Sequence, residues 1–390
     1  MIRDRDIAVI GAGIAGLAAA AALCQRGAKV RVLEQAPAIR EVGAGLQITP
    51  NGMAVLKALG LEKDCDARGQ VAEAVELIDG ETGALVTRIE LASIAPEGAF
   101  RFFHRADLID MLEGAARRAG AAIELGHRIE SLTLGAQGPH LLAERGVEPA
   151  GLVIGADGLH SRVRAALDQG GRPFFTGQVA WRATLPADGD IPSVARVYMG
   201  PGRHIVTYPL RGGTLRNIVA VEERKKWAEE SWTLTDDPLA LRIAFEGFIP
   251  EVRGWLDRIE RPNLWGLFRH PVAERWYGHG AVLVGDAAHP TLPFLAQGAN
   301  MALEDVWVLA AALARHHGAE ALQHYQAARR DRARRIVAAA TANARNYHLS
   351  GVRRDLTHFG LRTLQRFAPG MVPNRFAWLY GHDVTRGGGM

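Results

Sequence analysis

Cysteine is nearly absent from this chain. Only Cys24 and Cys65 occur in 390 residues, with no CxxC or other metal-type spacing. That argues against a disulfide scaffold, a zinc site and a redox-active dithiol, and suits a reducing compartment. Long apolar runs are also missing. Stretches such as "LAAAAAL" fall far short of the roughly 20 residues that cross a bilayer. The chain enters "DIAVIGAG" without the charged segment, apolar segment and cleavage site of a secretory signal, so a cytoplasmic location is expected. Neither sign of charge is in large excess, with a net +4. This slightly favours anionic small molecules and does not mark a nucleic-acid binder. The basic run "RRDRARRIV" has no recognition motif beside it and reads as a solvated helix face or a subunit contact. Composition is otherwise that of a globular protein, 48% hydrophobic and 23% charged, with 44 glycines suited to tight turns against a ligand.

What is present begins with "DIAVIGAGIAGLAAAAALCQRGAKVRVLEQ". It reads as strand, Gly-rich turn, helix, Gly stop and second strand. Gly11 permits the turn, Gly13 lets the backbone approach a pyrophosphate, and Gly16 lets the helix pack on the strand. The helix N-terminus offers free N–H groups and a positive dipole end to phosphates. Glu34, followed by Gln35, ends the second strand where an acidic residue holds ribose hydroxyls. A carboxylate there disfavours the 2′-phosphate of NADP, which leaves FAD or NAD.

Two later stretches decide between them. "GLVIGADGLHSRVRAAL" is a buried strand followed by Asp157 and a basic helix start. "AVLVGDAAHPTLPFLAQGAN" is a strand, Asp286, a Pro-broken loop and a new helix. The ordered trio GxGxxG, GADG and GDAAHP resembles the three fingerprints of the single-component aromatic flavoprotein hydroxylases. The motifs are closest to 3-hydroxybenzoate 6-hydroxylases, 6-hydroxynicotinate 3-monooxygenases and salicylate hydroxylase-like enzymes. The resemblance covers most of the chain and is weakest after about residue 350. It implies FAD as bound cofactor, NADH or NADPH as transient electron donor, and oxygen transfer through a flavin C4a-hydroperoxide. It also implies that Asp286 holds the ribityl chain, Arg105 contacts the flavin chain, and Asp157 supports both FAD and the nicotinamide donor. The loop around Pro293 would pass beside the isoalloxazine. The helix from Gly298 and Ala299 would point its N-terminus at the flavin's pyrimidine end. The glycines of "REVGAGLQITPNG" would let that loop shift with the flavin.

The expected fold is α/β: a Rossmann-like FAD-binding domain with an inserted antiparallel β-sheet substrate domain and a C-terminal helical region. "GQVAWRATLP", "SVARVYMG", "RHIVTYPL" and "LRNIVAVEER" alternate like strands of an antiparallel sheet. The boundaries read as 1–172 and 263–345 for the FAD unit, 173–262 for the insert, and 346–390 for a helical segment and tail. No second GxGxxG stands in a βαβ context, which disfavours a plan with a separate NAD domain.

Hydroxylation of a phenol needs a base or proton relay and a dry pocket. Strand alternation in "RHIVTYPL" puts His204, Val206 and Tyr208 on one face. The resemblance implies that His204 assists phenol deprotonation, that His204, Tyr208 and Pro293 contact substrate, and that Tyr208 and Gln297 join His204 in the catalytic set. Gln47 stands where some hydroxynicotinate enzymes carry a His. It hydrogen-bonds a carboxylate or ring nitrogen but accepts no proton, which weakens that assignment. His289 reads as structural. The expected partners are a small aromatic substrate, O2 and NAD(P)H, in a monomer or homodimer without a membrane span or nucleic acid. The leading substrates are of the 3-hydroxybenzoate or salicylate type. A urate, quinone-precursor or other heteroaromatic hydroxylase is one alternative, and a flavin oxidoreductase without hydroxylation is another.

Overall fold

The computed structural model describes residues 2–39, 44–95, 98–136, 138–144, 146–168, 170–224, 235–367, 371 and 375–386. Strand Asp6–Ile10 lies near the middle of a six-stranded sheet. It pairs in parallel with Lys29–Glu34 on one side and Leu152–Gly155 on the other. Ala122–Leu125 and Ala281–Leu283 extend the parallel order, and Tyr277–Gly278 closes one edge antiparallel. The continuous apolar runs of the inner strands follow from burial on both faces. Helix Ile14–Cys24, nearly all small residues, packs deep in this core together with helix Gly298–Arg315.

The second layer is a seven-stranded sheet. Its order is Asn263–Arg269, Phe174–Pro186, Leu215–Glu223, Arg203–Leu210, Val194–Gly200, Ala74–Asp79, Leu85–Glu90. All pairs are antiparallel except Val194–Gly200 with Ala74–Asp79. The sheet crosses the boundaries expected for the insert. A hairpin from before residue 172 forms one edge, and a strand after 262 forms the other. Edge pairings between distant segments leave no local pattern in the sequence.

Alternation gives this sheet two different faces. Val179, Trp181, Tyr198, Ile205, Ile218 and Ala220 point to one side and form a core with Phe245, Val252 and Trp255 beneath helices Pro238–Ala244 and Pro250–Asp257. Residues between them on the same strands line a cavity on the other side. The GAGL loop expected to shift with the flavin lies in part, at 40–43, outside the described residues.

Helix Gly318–Tyr347 spans the molecule, from a pairing with helix Gly298–Arg315 to the substrate sheet. Helix Gly351–Phe367 follows and lies against the edge hairpin, where Thr87 donates to Gln365 Oε1 (2.7 Å). Both cysteines are free. Burial pushes the Cys65 thiol up to about 12, so it is an unreactive core residue. Among the described residues no helix is long and apolar enough to cross a membrane.

Candidate active site

The cavity between the two sheets has a volume of about 1210 Å³. That exceeds the roughly 300–1,000 Å³ of an ordinary small-ligand pocket, and leaves room for a long cofactor and a ring together. Its cofactor end is built by the Gly-rich turn. Gly11 adopts φ +100, and a Cβ there would lie 2.7 Å from the Ala156 carbonyl. A Cβ on Gly16 would lie 1.9 Å from the Gly11 carbonyl oxygen. A Cβ on Gly13 would meet nothing within 4 Å and would project into open space at the cavity. So Gly11 and Gly16 are required by the protein itself, whereas Gly13 is required only by a ligand. Gly13→Leu is therefore expected to fold with near wild-type stability but to lose the yellow colour of bound flavin. Gly16→Val is expected to give little folded protein. Flavin content and denaturant midpoints of the two variants distinguish these cases. Full flavin retention in Gly13→Leu would contradict the placement.

Glu34 closes the turn. Its carboxylate accepts from the amides of Ala12 (2.8 Å) and Ala36 (2.9 Å), which fixes it at the end of its strand. Gln35 is exposed beside it and lies outside the cavity lining. Asp157 does not line the cavity either. It accepts from the Ser161 hydroxyl (2.5 Å) and from the amides of Arg162 (2.7 Å) and Val163 (3.3 Å), so it caps helix Arg162–Leu167. Its carboxylate is committed to holding that loop, and Gly158 and Leu159 beside it are what reach the cavity. The side chains of Asp157 and Gln35, both expected at the cofactor, thus lie beside the cavity wall rather than in it.

Asp286 does face the cavity. Its side chain is exposed to the cavity, and the density of protein around it raises the carboxyl above its usual range against the pull of His289 and Arg105. No protein donor satisfies it among the described residues, which is the state expected of a carboxylate whose partners are ligand hydroxyls. Arg105 lines the same space. Helix Gly298–Arg315 opens onto it through Gly298 and Ala299, with no acidic residue in its first turn to neutralise the dipole. These residues fit FAD: a bare Gly turn for pyrophosphate, a cavity-facing carboxylate for the ribityl hydroxyls, and an uncompensated helix N-terminus for the electron-rich end of the flavin.

The turn carrying Asp286 is fastened by a buried polar network. Asp305 accepts from the Gly285 amide (3.0 Å), from His289 Nε2 and from Arg329 Nε (2.8 Å). Glu304 pairs with Arg329 and with Arg332 (2.8 Å), and accepts from Asn51 (2.7 Å). Glu304, Asp305 and Arg329 are at most 1% exposed. Burial alone would raise both carboxyls; Arg329, with His289 at Asp305 and Arg332 at Glu304, outweighs it and holds both low. His289 is structural, as expected. The run "RRDRARRIV" is a solvated face only in part: Asp331 and Arg335 are exposed, whereas Arg329 and Arg332 lie on the inner face of their helix, in step with Ala333 and Ile336. Gln297 belongs to this region too. Its amide donates to Thr49 Oγ1 (3.0 Å) and accepts from Asn51 (3.1 Å), and the residue is fully buried. Gln297 lines the cavity, and both ends of its amide are engaged by protein, which orders the loop.

The substrate end rests on the sheet. One row across it reads Leu77, Val197, Val206, Val219, Arg182; the next reads Met199, His204, Val221. All line the cavity, as do Tyr208, Gln47, Pro293 and Phe294. The alternation expected for His204, Val206 and Tyr208 is present. Tyr208 stacks on Phe102 at 4.9 Å, and burial raises its phenol while Arg182 pulls it down. Gly45 permits this approach, since a Cβ there would lie 2.6 Å from the Tyr208 ring.

Two features were not legible in advance. Arg182 is a cavity-lining guanidinium with no acidic partner among the described residues, resting 4.9 Å over Trp265. Burial and the neighbouring Arg105 lower it to about 10, so it stays cationic at neutral pH. His204 Nδ1 lies 2.7 Å from His348 Nε2, and His348 Nδ1 lies 2.8 Å from Glu223 Oε1. The alternation of "AWRAT", which places Arg182 on the face opposite Trp181, is the one local signal that could have found it. Nothing local pointed to His348, which reaches the sheet from the end of a 30-residue helix.

Comparison with known proteins agrees with this geometry. Residues 4–340 match the FAD binding domain family. A 3-amino-4-hydroxybenzoate 2-monooxygenase of Streptomyces platensis is 34% identical over 395 residues, covering 97% of this chain and 96% of the relative. A 3-hydroxybenzoate 6-hydroxylase of Polaromonas naphthalenivorans is 34% identical over 403 residues, covering 98% and 97%. A salicylate hydroxylase solved with its substrate superposes with a TM-score of 0.82 at 26% identity, over 98% of this chain and 97% of that one. The family resemblance carried by the three motifs is thereby borne out. A Gly turn, a ribityl-type carboxylate and an opposing sheet across one large cavity, in a chain alike end to end with flavin hydroxylases, place it in the FAD binding domain family as an FAD-dependent aromatic-ring monooxygenase.

Proposed function

We propose that the protein hydroxylates a small phenolic carboxylate of the 3-hydroxybenzoate, salicylate or aminohydroxybenzoate kind, using O2 and a transiently bound NADH or NADPH. The carrying observation is that His204 and Arg182 lie on the same face of one sheet and line one cavity. A proton acceptor and an acid-free cation complement a phenol and a carboxylate. The substrates in the names of the hydroxybenzoate relatives have both groups, which supports the same reading. Bound FAD, once reduced, supplies the activated oxygen. The chain's own residues do the rest. His204 takes the phenolic proton and makes the ring electron-rich. Arg182 binds the carboxylate, and Tyr208 and Gln47 border the ring. Val206, Val219, Met199 and Phe294 keep water from the reacting centre.

Charge-assisted hydrogen bonds contribute about 1.5–3 kcal/mol. Arg182→Leu is therefore expected to raise KM for the carboxylic acid roughly 10- to 150-fold, while its methyl ester is affected far less. NADH oxidation and product formation across a panel of hydroxybenzoates and their esters test this. Equal losses for acid and ester would remove Arg182 from carboxylate binding.

A further inference from the structure

We infer that His204, His348 and Glu223 form a proton conduit from the phenol to the protein surface. This rests on His204 being the phenol base. The three groups are joined by contacts of 2.7 and 2.8 Å, from a 1%-exposed imidazole to a carboxylate side chain that is 54% exposed. His348 is supplied by the turn after helix Gly318–Tyr347, and the other two by neighbouring strands of the substrate sheet.

The direction of transfer follows from the donor inventory. Glu223, when ionised, only accepts, so His348 Nδ1 carries the proton between them. In a neutral imidazole Nε2 is then an acceptor, so the proton between the two rings sits on His204 Nδ1. His204 Nε2 is left as an acceptor with no protein partner among the described residues, on a side chain that lines the cavity. One carboxylate at the surface thus sets both tautomers in the interior. The arrangement requires two neutral rings, and burial lowers both histidines, reinforced at His204 by His348 and at His348 by Arg203. Glu223 opposes this at His348 only in part. The other rings packed on His204 are those of Phe294 and Tyr347, and Arg203 itself faces Glu222 at 3.9 Å.

The proton count balances. The phenolic O–H bond breaks and its proton binds His204 Nε2. The Nδ1 proton of His204 moves to His348 Nε2, the Nδ1 proton of His348 moves to the Glu223 carboxylate, and water removes it. The charge left in the cavity is the phenolate. The reverse passage protonates the product and restores both tautomers.

The test uses FAD-loaded protein mixed with 3-amino-4-hydroxybenzoate, following phenolate absorbance in a stopped-flow instrument from pH 5.5 to 8.5. The variants are His204→Ala, His348→Phe, Glu223→Gln and Glu223→Asp, with flavin content and NADH-driven flavin reduction as controls. The conduit predicts that His348→Phe slows phenolate formation at least 10-fold. It predicts that Glu223→Gln makes the rate depend on buffer concentration, that Glu223→Asp largely restores it, and that flavin reduction changes little. Slowing in His204→Ala with wild-type, buffer-independent rates in both His348→Phe and Glu223→Gln would overturn the conduit and leave His204 as the base. Unchanged phenolate formation in His204→Ala, or none in the wild type, would overturn the base reading and the conduit with it. Glu223→Gln is nearly isosteric at an exposed site, so its result stands even if His348→Phe folds poorly.

Discussion

His204→Ala is expected to separate NADH consumption from product formation. The variant should bind FAD and oxidise NADH when substrate is added, yet return most of the electrons as H2O2. An undeprotonated ring is a poor nucleophile, and general-base contributions are on the order of 10²–10⁴-fold. The sign of the pH response follows from the burial of His204, which with His348 holds its pKa well below the usual value of 6.5. A depressed histidine stays neutral, and so remains an acceptor, as the pH falls past about 6.5. Wild-type coupling should therefore persist below that pH and fail only further into acid. The same shift costs folding stability in acid, because the unfolded chain takes up the proton first. Raising the pH should partly restore coupling in the variant, since solution then supplies phenolate. Product formed per NADH consumed, across pH, is the measurement. A folded, FAD-loaded variant that stays fully coupled would leave His204 as a packing residue.

Arg329→Ala is expected to be strongly destabilising. Arg329 is the cation shared by Glu304 and Asp305, all three buried. Removing one partner of a buried pair typically costs about 3–5 kcal/mol, because charge is left uncompensated. Arg332 still serves Glu304, and His289 still serves Asp305, so Asp305 loses the guanidinium that pairs with it among the described residues. Asp305 also holds the Gly285 amide, so flavin affinity should fall with stability. In the wild type both carboxyls are depressed, and their contribution is present above the unfolded carboxylate range near 4 and lost as pH falls through the folded values. In the variant burial is no longer outweighed in the same way, and the carboxyls rise. The deficit relative to wild type should thus be largest at neutral pH and shrink toward pH 4. Guanidinium midpoints at two pH values check this. A deficit below about 1 kcal/mol at pH 7.5 would mean the network orients the turn without stabilising it.

The sequence was informative where function demands a local pattern. Gly11, Gly13, Gly16 and Glu34 are legible because a dinucleotide turn needs those residues within one βαβ unit. His204 and Tyr208 are legible because a strand alternates. Asp286 is legible because it follows a strand and precedes a new helix opening. What was not legible shares a cause as well. Asp157 and Gln297 occur in the right motifs, but which group satisfies their polar atoms is a tertiary matter, and here it is protein. Arg329 and Arg332 sat in a basic run that composition assigned to solvent, though their spacing with Ala333 and Ile336 marks an inner helix face. Glu223 and His348 are 125 residues apart in sequence and meet only where a long helix ends against the sheet.

The most direct test of the proposed function is the fate of labelled dioxygen. FAD-loaded protein is given NADH, isotopically labelled O2 and each hydroxybenzoate of the panel in turn, and the products are weighed by mass spectrometry. The account predicts, for at least one phenolic carboxylate, accelerated NADH oxidation and a product that carries one labelled oxygen atom on the ring. NADH oxidation indifferent to every phenolic carboxylate, with the label recovered only in H2O2, would contradict it.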